Sequence, residues 1–309
     1  MRRNRWLPLA LAALLCLGGC SGRETAAQRH RVTLVAKSTQ TEFWLSVFAG
    51  AEAAAAEYNL ELTIAGPETE EDYESQNRMI AGAVEAGTEA LVFSAIDFEE
   101  NAPAVEAAGQ AGVKIVSIDS GVGSDQVGTY IGTDNYAAGR MAAQAALEQV
   151  EGALRVGLVN YDEGTANGQQ REQGAVDALT ESGRAEVCAA VTTLVDADQA
   201  QADAAALLRE HPEVNVLITF NEPTSVGGAR AVEALGLEEE VFFVGFDSNV
   251  VTVDALQAGS VDALIVQNPY AMGYLAWRAP TSCSAAGAGS CPPLWTPPPR
   301  SSTAATSSH

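Results

Sequence analysis

Six short apolar runs of this chain stop at side chains suited to holding hydroxyl groups. The run over residues 32–36 gives way to Lys37-Ser38-Thr39-Gln40-Thr41-Glu42-Phe43-Trp44. That stretch sets hydroxyls, an amide, charges of both signs and two adjacent aromatics at one point. The run over 113–118 stops at Asp119-Ser120, and the run over 154–159 leads through Asn160 and Asn167 to Arg171. The runs over 214–219, 241–245 and 261–266 reach Asn221, Asp247 and Gln267. Taken singly, such a residue is a turn signal, and Asn167 with Gln170 reads as helix-start chemistry. Taken together, they are the donors and acceptors that a polyhydroxyl ligand needs. A buried group that pairs a ligand hydroxyl also rejects analogues lacking it. Arg171 adds a forked donor. Phe43 and Trp44 are neighbours in a first helical turn, so they are not expected to face one core. They offer a stacking platform for the C–H face of a ring.

Catalysis finds less support. The three histidines are His30, His211 and His309, and none accompanies a nucleophile. Asp119 and Asp247 form a carboxylate pair, but hydroxyl binding accounts for both. Gly121-Val122-Gly123-Ser124 is a weak glycine match without a helix behind it, which argues against a dinucleotide site. No metal-ligand spacing is present. The expectation is a binding protein, not an enzyme, with no cofactor and no metal.

The elements that must position these residues alternate. Strands are expected over 32–36, 60–64, 90–93, 113–118 and 127–131, with helices over 43–57, about 70–86 and 99–111 between them. A second series places helices over 136–149, 170–181, 198–209, 224–235 and 250–258. Its strands cover 154–159, 186–192, 214–219, 241–245 and 261–266. Such alternation implies parallel sheets covered on both faces. Two series imply an α/β chain of two doubly wound, Rossmann-like domains joined by a hinge. Ligands of these sheets sit beyond the carboxyl ends of the strands, so two facing domains make a cleft.

Composition and the chain ends set the compartment. The 309 residues are 47% hydrophobic, enough for two cores, and carry a net charge of −23 from 40 acids against 17 bases. That surface repels nucleic acid and anionic headgroups. The chain opens Met1-Arg2-Arg3-Asn4-Arg5, continues through a Leu/Ala-rich run and ends this segment at Leu17-Gly18-Gly19-Cys20. Charge, a core too short to span, and small residues before Cys20 read as a bacterial lipobox, with lipid on the Cys20 thiol. Residues 1–20 are then a signal peptide and 21–30 a polar tether. Of the other cysteines, Cys16 leaves with the signal and Cys188 reads as a small buried hydrophobe. Cys283 and Cys291 are a candidate pair in an oxidising compartment.

These residues carry a resemblance. The chain is similar to type I periplasmic binding proteins, in particular the ribose- and galactose-binding-like subgroup that serves ABC sugar importers. The resemblance covers about 31–277. It rests on Lys37-Ser38-Thr39 through Glu42-Phe43-Trp44, Gly132-Thr133-Asp134-Asn135, Arg171-Glu172-Gln173-Gly174, Asn221-Glu222, Val244-Gly245-Phe246-Asp247 and Val266-Gln267-Asn268-Pro269-Tyr270-Ala271-Met272-Gly273. It implies that Phe43 and Trp44 sandwich a sugar, that Thr41 adds a polar contact, and that Asp119 binds sugar hydroxyls. Arg171, Asn221, Asp247 and hinge-side Gln267 complete the set. Lys37, one of only two lysines in the chain, departs from the pattern at the end of the first strand and is a further candidate contact. Ser120 stands where ribose binders commonly carry arginine, and Glu42 where proline is frequent, which argues against ribose itself. The resemblance further implies a monomer that closes on a monosaccharide or polyol by a hinge motion and docks on an ABC permease. It would be held to the membrane by its N-terminal lipid, outside the cytoplasm. Crossovers are expected near 132–134, near 248–250 and after Gln267. The lobes would cover 31–132 and 133–249, with return elements over 250–277.

Two alternatives remain open on these residues. A ligand-presenting sensor for a membrane receptor uses the same cleft, and a nucleoside or autoinducer-type ligand also suits stacking aromatics and polar strand ends. A DNA-binding regulator of this fold would need a basic N-terminal helix pair where the signal segment stands. After Trp277 the pattern changes to Ser, Ala, Gly and Pro with no strand or helix period. That reads either as a low-complexity tail over 278–309 or as a shifted reading frame. The Ala-rich, Arg-over-Lys composition favours the shifted frame.

Overall fold

A computed structural model describes residues 29–278 and 300–303. The signal segment with Cys20, and Cys283 with Cys291, lie outside the described residues. The first lobe opens β1 (His30–Val35), α1 (Glu42–Tyr58), β2 (Leu60–Ala65) and α2 (Tyr73–Glu85). It continues β3 (Ala90–Phe93), α3 (Ala102–Gln110), β4 (Lys114–Ile118) and β5 (Val127–Ile131). All five strands are parallel, in the order β2-β1-β3-β4-β5. Val35 pairs with both Ala65 and Phe93, so the carboxyl ends of three strands finish level.

The second lobe begins with α4 (Asn135–Gln149), β6 (Leu154–Tyr161), α5 (Ala166–Glu181), β7 (Ala185–Thr193) and α6 (Ala197–Glu210). There follow β8 (Val216–Thr219), α7 (Glu222–Leu235), β9 (Phe242–Phe246), α8 (Val250–Ala258) and β10 (Ala263–Val266). Its sheet runs β11-β10-β9-β8-β6-β7, parallel except for β11 (Arg300–Thr303), which is antiparallel to β10. The chain therefore forms the two doubly wound parallel sheets expected from its alternating pattern.

Each sheet is coated on both faces because alternate strand residues enter different cores. Val32 and Leu34 join one cluster of the first lobe and Val35 the other. Two further clusters flank the second sheet. Two glycine pairs let helices touch backbone to backbone. A Cβ on Gly139 would sit 1.8 Å from the Arg171 carbonyl, and one on Gly273 would sit 1.9 Å from that of Val47. The first contact seats α5, which carries Arg171, against α4. The second returns α9 (Pro269–Leu275) to α1 of the first lobe.

Three expectations are corrected. The return to the first lobe follows Gln267 rather than residue 250, because Val253, Ala255 and Leu256 of α8 pack in a second-lobe cluster and β10 pairs with β9. The segment 247–249 accordingly stays within the second lobe and is not a crossover. The tail contains a strand where no period was visible, since β11 adds its backbone to the β10 edge. Cys188 is half-buried against the second-lobe core rather than enclosed. Among the described residues, no helix is long and apolar enough to cross a membrane, and no His/Cys/Asp/Glu cluster could hold a metal.

Candidate functional site

The level strand ends of the two sheets face each other across a cavity of about 290 Å3. Thr41, Phe43, Trp44, Glu70 and Asp119 line it from the first lobe. Tyr161, Asn167, Arg171, Asn221, Glu222, Pro223, Asp247 and Gln267 line it from the second. Eight of the nine residues singled out by sequence thus share one cavity. Its volume includes open solvent, and the room left for the centre of a water-sized sphere is only about 20 Å3, so the lobes stand nearly closed on one another.

Arg171 is the hub. The side chain is 1% exposed, yet its nitrogens are occupied. Nε donates to Asn135 Oδ1 at 2.9 Å, Nη1 to the Phe220 carbonyl at 2.6 Å and Nη2 to Gln267 Oε1 at 2.9 Å. The guanidinium lies 4.9 Å over the Phe246 ring. Burial works against its charge, but Tyr161, Asp247 and Asp119 around it outweigh burial and raise its pKa.

The two acids are presented alike. Asp119 follows β4 with φ +57°, and Asp247 follows β9 with φ +66°. Aspartate tolerates this left-handed conformation because its short side chain bonds locally. Asp119 Oδ2 accepts from Ser94 Oγ at 3.1 Å and from Asn167 Nδ2 at 3.0 Å. Asp247 Oδ1 accepts from Gln267 Nε2 at 2.7 Å. Burial pushes the Asp247 carboxyl up to about 7, against the opposing pull of Arg171 and the Gln267 hydrogen bond. Gln267 Oε1 also accepts from Thr133 Oγ1 at 2.8 Å, so it ties the two chain crossings together.

Asn221 combines the turn role and the cleft role. Its Oδ1 caps α7 by accepting from the Thr224 amide at 3.0 Å and Thr224 Oγ1 at 2.7 Å. The residue also lines the cavity.

The aromatics depart from expectation. Trp44 is 1% exposed and belongs to the first-lobe core, and Phe43 packs against the same cluster. Edge-to-face packing, with ring centroids 5.2 Å apart at 88°, lets both rings share that core, and both residues also line the cavity. Trp44 Nε1 donates to Glu70 Oε1 at 2.8 Å.

Lys37 is the ninth residue, and it stands behind the cavity wall rather than on it. It is 2% exposed, and its ammonium donates to Thr165 Oγ1 at 2.8 Å and Asn167 Oδ1 at 3.4 Å across the cleft. It lies 3.5 Å from Glu70 Oε2. Burial raises the Glu70 carboxyl, with Lys37 and Trp44 holding it down.

Sequence reasoning passed over Glu70, Tyr161, Glu222 and Pro223 as cavity residues and weighed Asn167 against a helix-start role. Glu70 was hidden by starting the second helix at residue 70. The helix begins at Tyr73 behind the Asp72 cap, which leaves Glu70 in a loop. Asn167 looked like helix-start chemistry, and it does lie in the first turn of α5. Its side chain nevertheless meets Asp119, and its Oδ1 also accepts from Tyr161 Oη at 2.9 Å. The acid beside Asn221 was the available signal for Glu222.

A family model described as a periplasmic binding protein domain matches residues 32–279. Among curated proteins, the chain is 29% identical to a D-ribose/D-allose-binding protein of Pseudomonas aeruginosa over 242 residues, 76% of each chain. It is 24% identical to a D-allose-binding periplasmic protein of Escherichia coli over 257 residues, 80% of this chain and 82% of that one. Among solved structures, it matches a carbohydrate transporter solute-binding protein of Agrobacterium radiobacter in complex with D-arabinose. The TM-score is 0.86 at 25% identity, covering 91% of this chain and 96% of the other. A glucose-galactose binding protein of Geobacillus stearothermophilus matches with TM-score 0.84 at 26% identity, covering 89% and 98%.

Proposed function

The chain belongs to the periplasmic binding protein family, and on that premise we propose that it captures a monosaccharide or related polyol between its lobes and delivers it to an ABC importer permease. The family is one of extracytoplasmic binding proteins rather than enzymes. The observation that carries the ligand class is the convergence of Thr41, Phe43, Trp44, Asp119, Arg171, Asn221, Asp247 and Gln267 on one small cavity. Asp247 and Asp119 accept hydroxyl protons, Asn221 donates, and the rings of Phe43 and Trp44 offer apolar contact to the C–H surface of a sugar. Arg171 holds both acids in place by charge. Lys37 acts through Glu70 and Asn167 rather than by touching the ligand. The sugar names of the relatives support the same class. Leu17-Gly18-Gly19-Cys20 supports a lipid anchor at Cys20 on the outer face of a membrane.

The test is a thermal-shift screen of residues 21–309 against pentoses, hexoses, polyols and nucleosides. One sugar is expected to raise the melting temperature, gaining about 2.7 kcal/mol at a hundredfold excess over Kd. A cooperative melt that no sugar moves, or that only a nucleoside moves, overturns the sugar reading.

A further inference from the structure

Two helices that face the cleft keep their first amides for the opposite lobe. In α1, Thr41 caps the Trp44 amide at 3.4 Å, which leaves the amides of Glu42 and Phe43 unspent within the lobe. Both are taken by Glu222 of the second lobe, at 3.2 Å and 2.9 Å. In α8, Asn249 caps the Thr252 amide at 2.8 Å and leaves that of Val250. Glu42 of the first lobe takes it at 3.3 Å. Each lobe therefore supplies the anion that the other lobe's helix start favours, through the orphan N–H groups and the helix dipole. A third glutamate repeats the device elsewhere on the seam: Glu71 accepts from the Val195 amide at 2.7 Å, just before the Asp196 cap of α6.

We propose that Glu42 and Glu222 form a reciprocal clasp that recognises the closed arrangement of the lobes rather than the ligand. On this assignment both are positioning residues for capture. Separating the lobes strands two carboxylates and three amides in water, and closing them rejoins all three bonds at once. The acceptors meet backbone, so no side-chain change on the partner helix removes the contact. The clasp also stands where the inner cavity adjoins an outer recess, since Phe43, Glu222, Asp247 and Gln267 border both. A ligand's apparent affinity scales with the fraction of binding-competent protein. The clasp therefore sets affinity without touching every ligand atom. The inference rests on the hinge-closing reading of the cavity but not on which sugar fills it.

The experiment measures the separation of the lobes in the full chain. Exposed Glu52 on α1 and Glu238 after α7 are replaced by p-acetylphenylalanine carrying spin labels. Distance distributions are recorded without sugar, then with D-arabinose and with D-ribose. Glu42→Gln, Glu222→Gln and the double Glu42→Ala/Glu222→Ala are compared with the parent. The double change is expected to lower the closed-to-open ratio about tenfold, with the single Gln changes in between. High salt is expected to loosen the parent more than the double variant. Glu42→Gln lies outside the inner cavity and keeps the test available if the double variant melts early. Identical distributions in the parent and all variants overturn the clasp, as does a parent that never reaches the closed separation under any condition. A closed population that the variants shift but neither sugar moves leaves the clasp standing and counts against the sugar reading.

Discussion

On the second-lobe wall of the cavity, Arg171 spends its nitrogens on Asn135, the Phe220 carbonyl and Gln267, and Asp247 is held by Gln267. On the first-lobe side, Lys37 behind the wall reaches across the cleft to Thr165 and Asn167, and one bond of Asp119 comes from Asn167. The first set of partners lies within its own lobe or at its hinge end. The second set exists only while the lobes touch. The difference teaches that a ligand meets one wall already wired and another that is completed by closure. A pre-organised wall reduces the ordering cost of binding, whereas the unfinished wall makes closure sensitive to what fills the gap.

The sharpest way to break that comparison is to remove the wired hub. Arg171→Met leaves Asp119 and Asp247 without their buried counter-charge and is expected to destabilise the second lobe by about 3–5 kcal/mol. Calorimetric melting checks it, and an unchanged melt would mean that the acids need no counter-charge. Trp44→Ala should cost a similar ~3–5 kcal/mol in the first lobe. A side chain that served only as a stacking platform would lose affinity with little loss of fold, but burial at 1% in the core makes lost fold stability the first effect. Chemical denaturation followed by far-UV circular dichroism decides between the two.

Smaller changes sharpen the contrast. Asp247→Ala is expected to weaken the binding of the sugar found by thermal shift by about 1–3 kcal/mol, read by titration calorimetry. Lys37→Met removes the Thr165 and Asn167 contacts that cross the cleft together with the Glu70 pairing inside the first lobe, so it should weaken binding by about 1 kcal/mol and lower first-lobe stability while leaving the second lobe's own melt in place. A Lys37→Met chain that binds as the parent does would erase the distinction between the walls. A separate check is a slope with pH. An unfolded aspartate titrates near about 3.9, and folded Asp247 at about 7. Between those values the folded chain holds the extra proton, so this group's contribution to stability falls as pH rises, then levels off above about 7. Asp247→Asn should flatten that decline in melting temperature, and an equal slope in both chains removes Asp247 as its source.

Much of the cavity was legible one strand end at a time. Asp119, Asn221, Asp247 and Gln267 each follow an apolar run, and parallel α/β sheets bring such ends to one edge. Arg171 was legible as a forked donor near the start of a helix, although the helix begins at Ala166 rather than at 170. The wall residues that were missed share a different cause. Glu70 sits in a loop whose length depended on where α2 begins, and Glu222 reads as an ordinary first-turn acid until its partners are seen. The position of Lys37 behind the wall was not legible either, because nothing near residue 37 announces Thr165.

By itself, the sequence determined what local patterning controls: alternating strands and helices, the caps at Thr41, Asn221 and Asn249, and the polar residue at each strand end. Those depend on neighbours a few positions away and on backbone preferences that act before any tertiary contact. Only the tertiary structure decided which polar groups meet across the cleft. The bonds that join the lobes link residues 128 positions apart at Lys37 and Thr165, 180 at Glu42 and Glu222, and 208 at Val250 and Glu42. No local period encodes such pairs. They exist because two sheets, each folded on its own core, set their strand ends face to face and leave buried charges and helix amides to find partners in the opposite lobe.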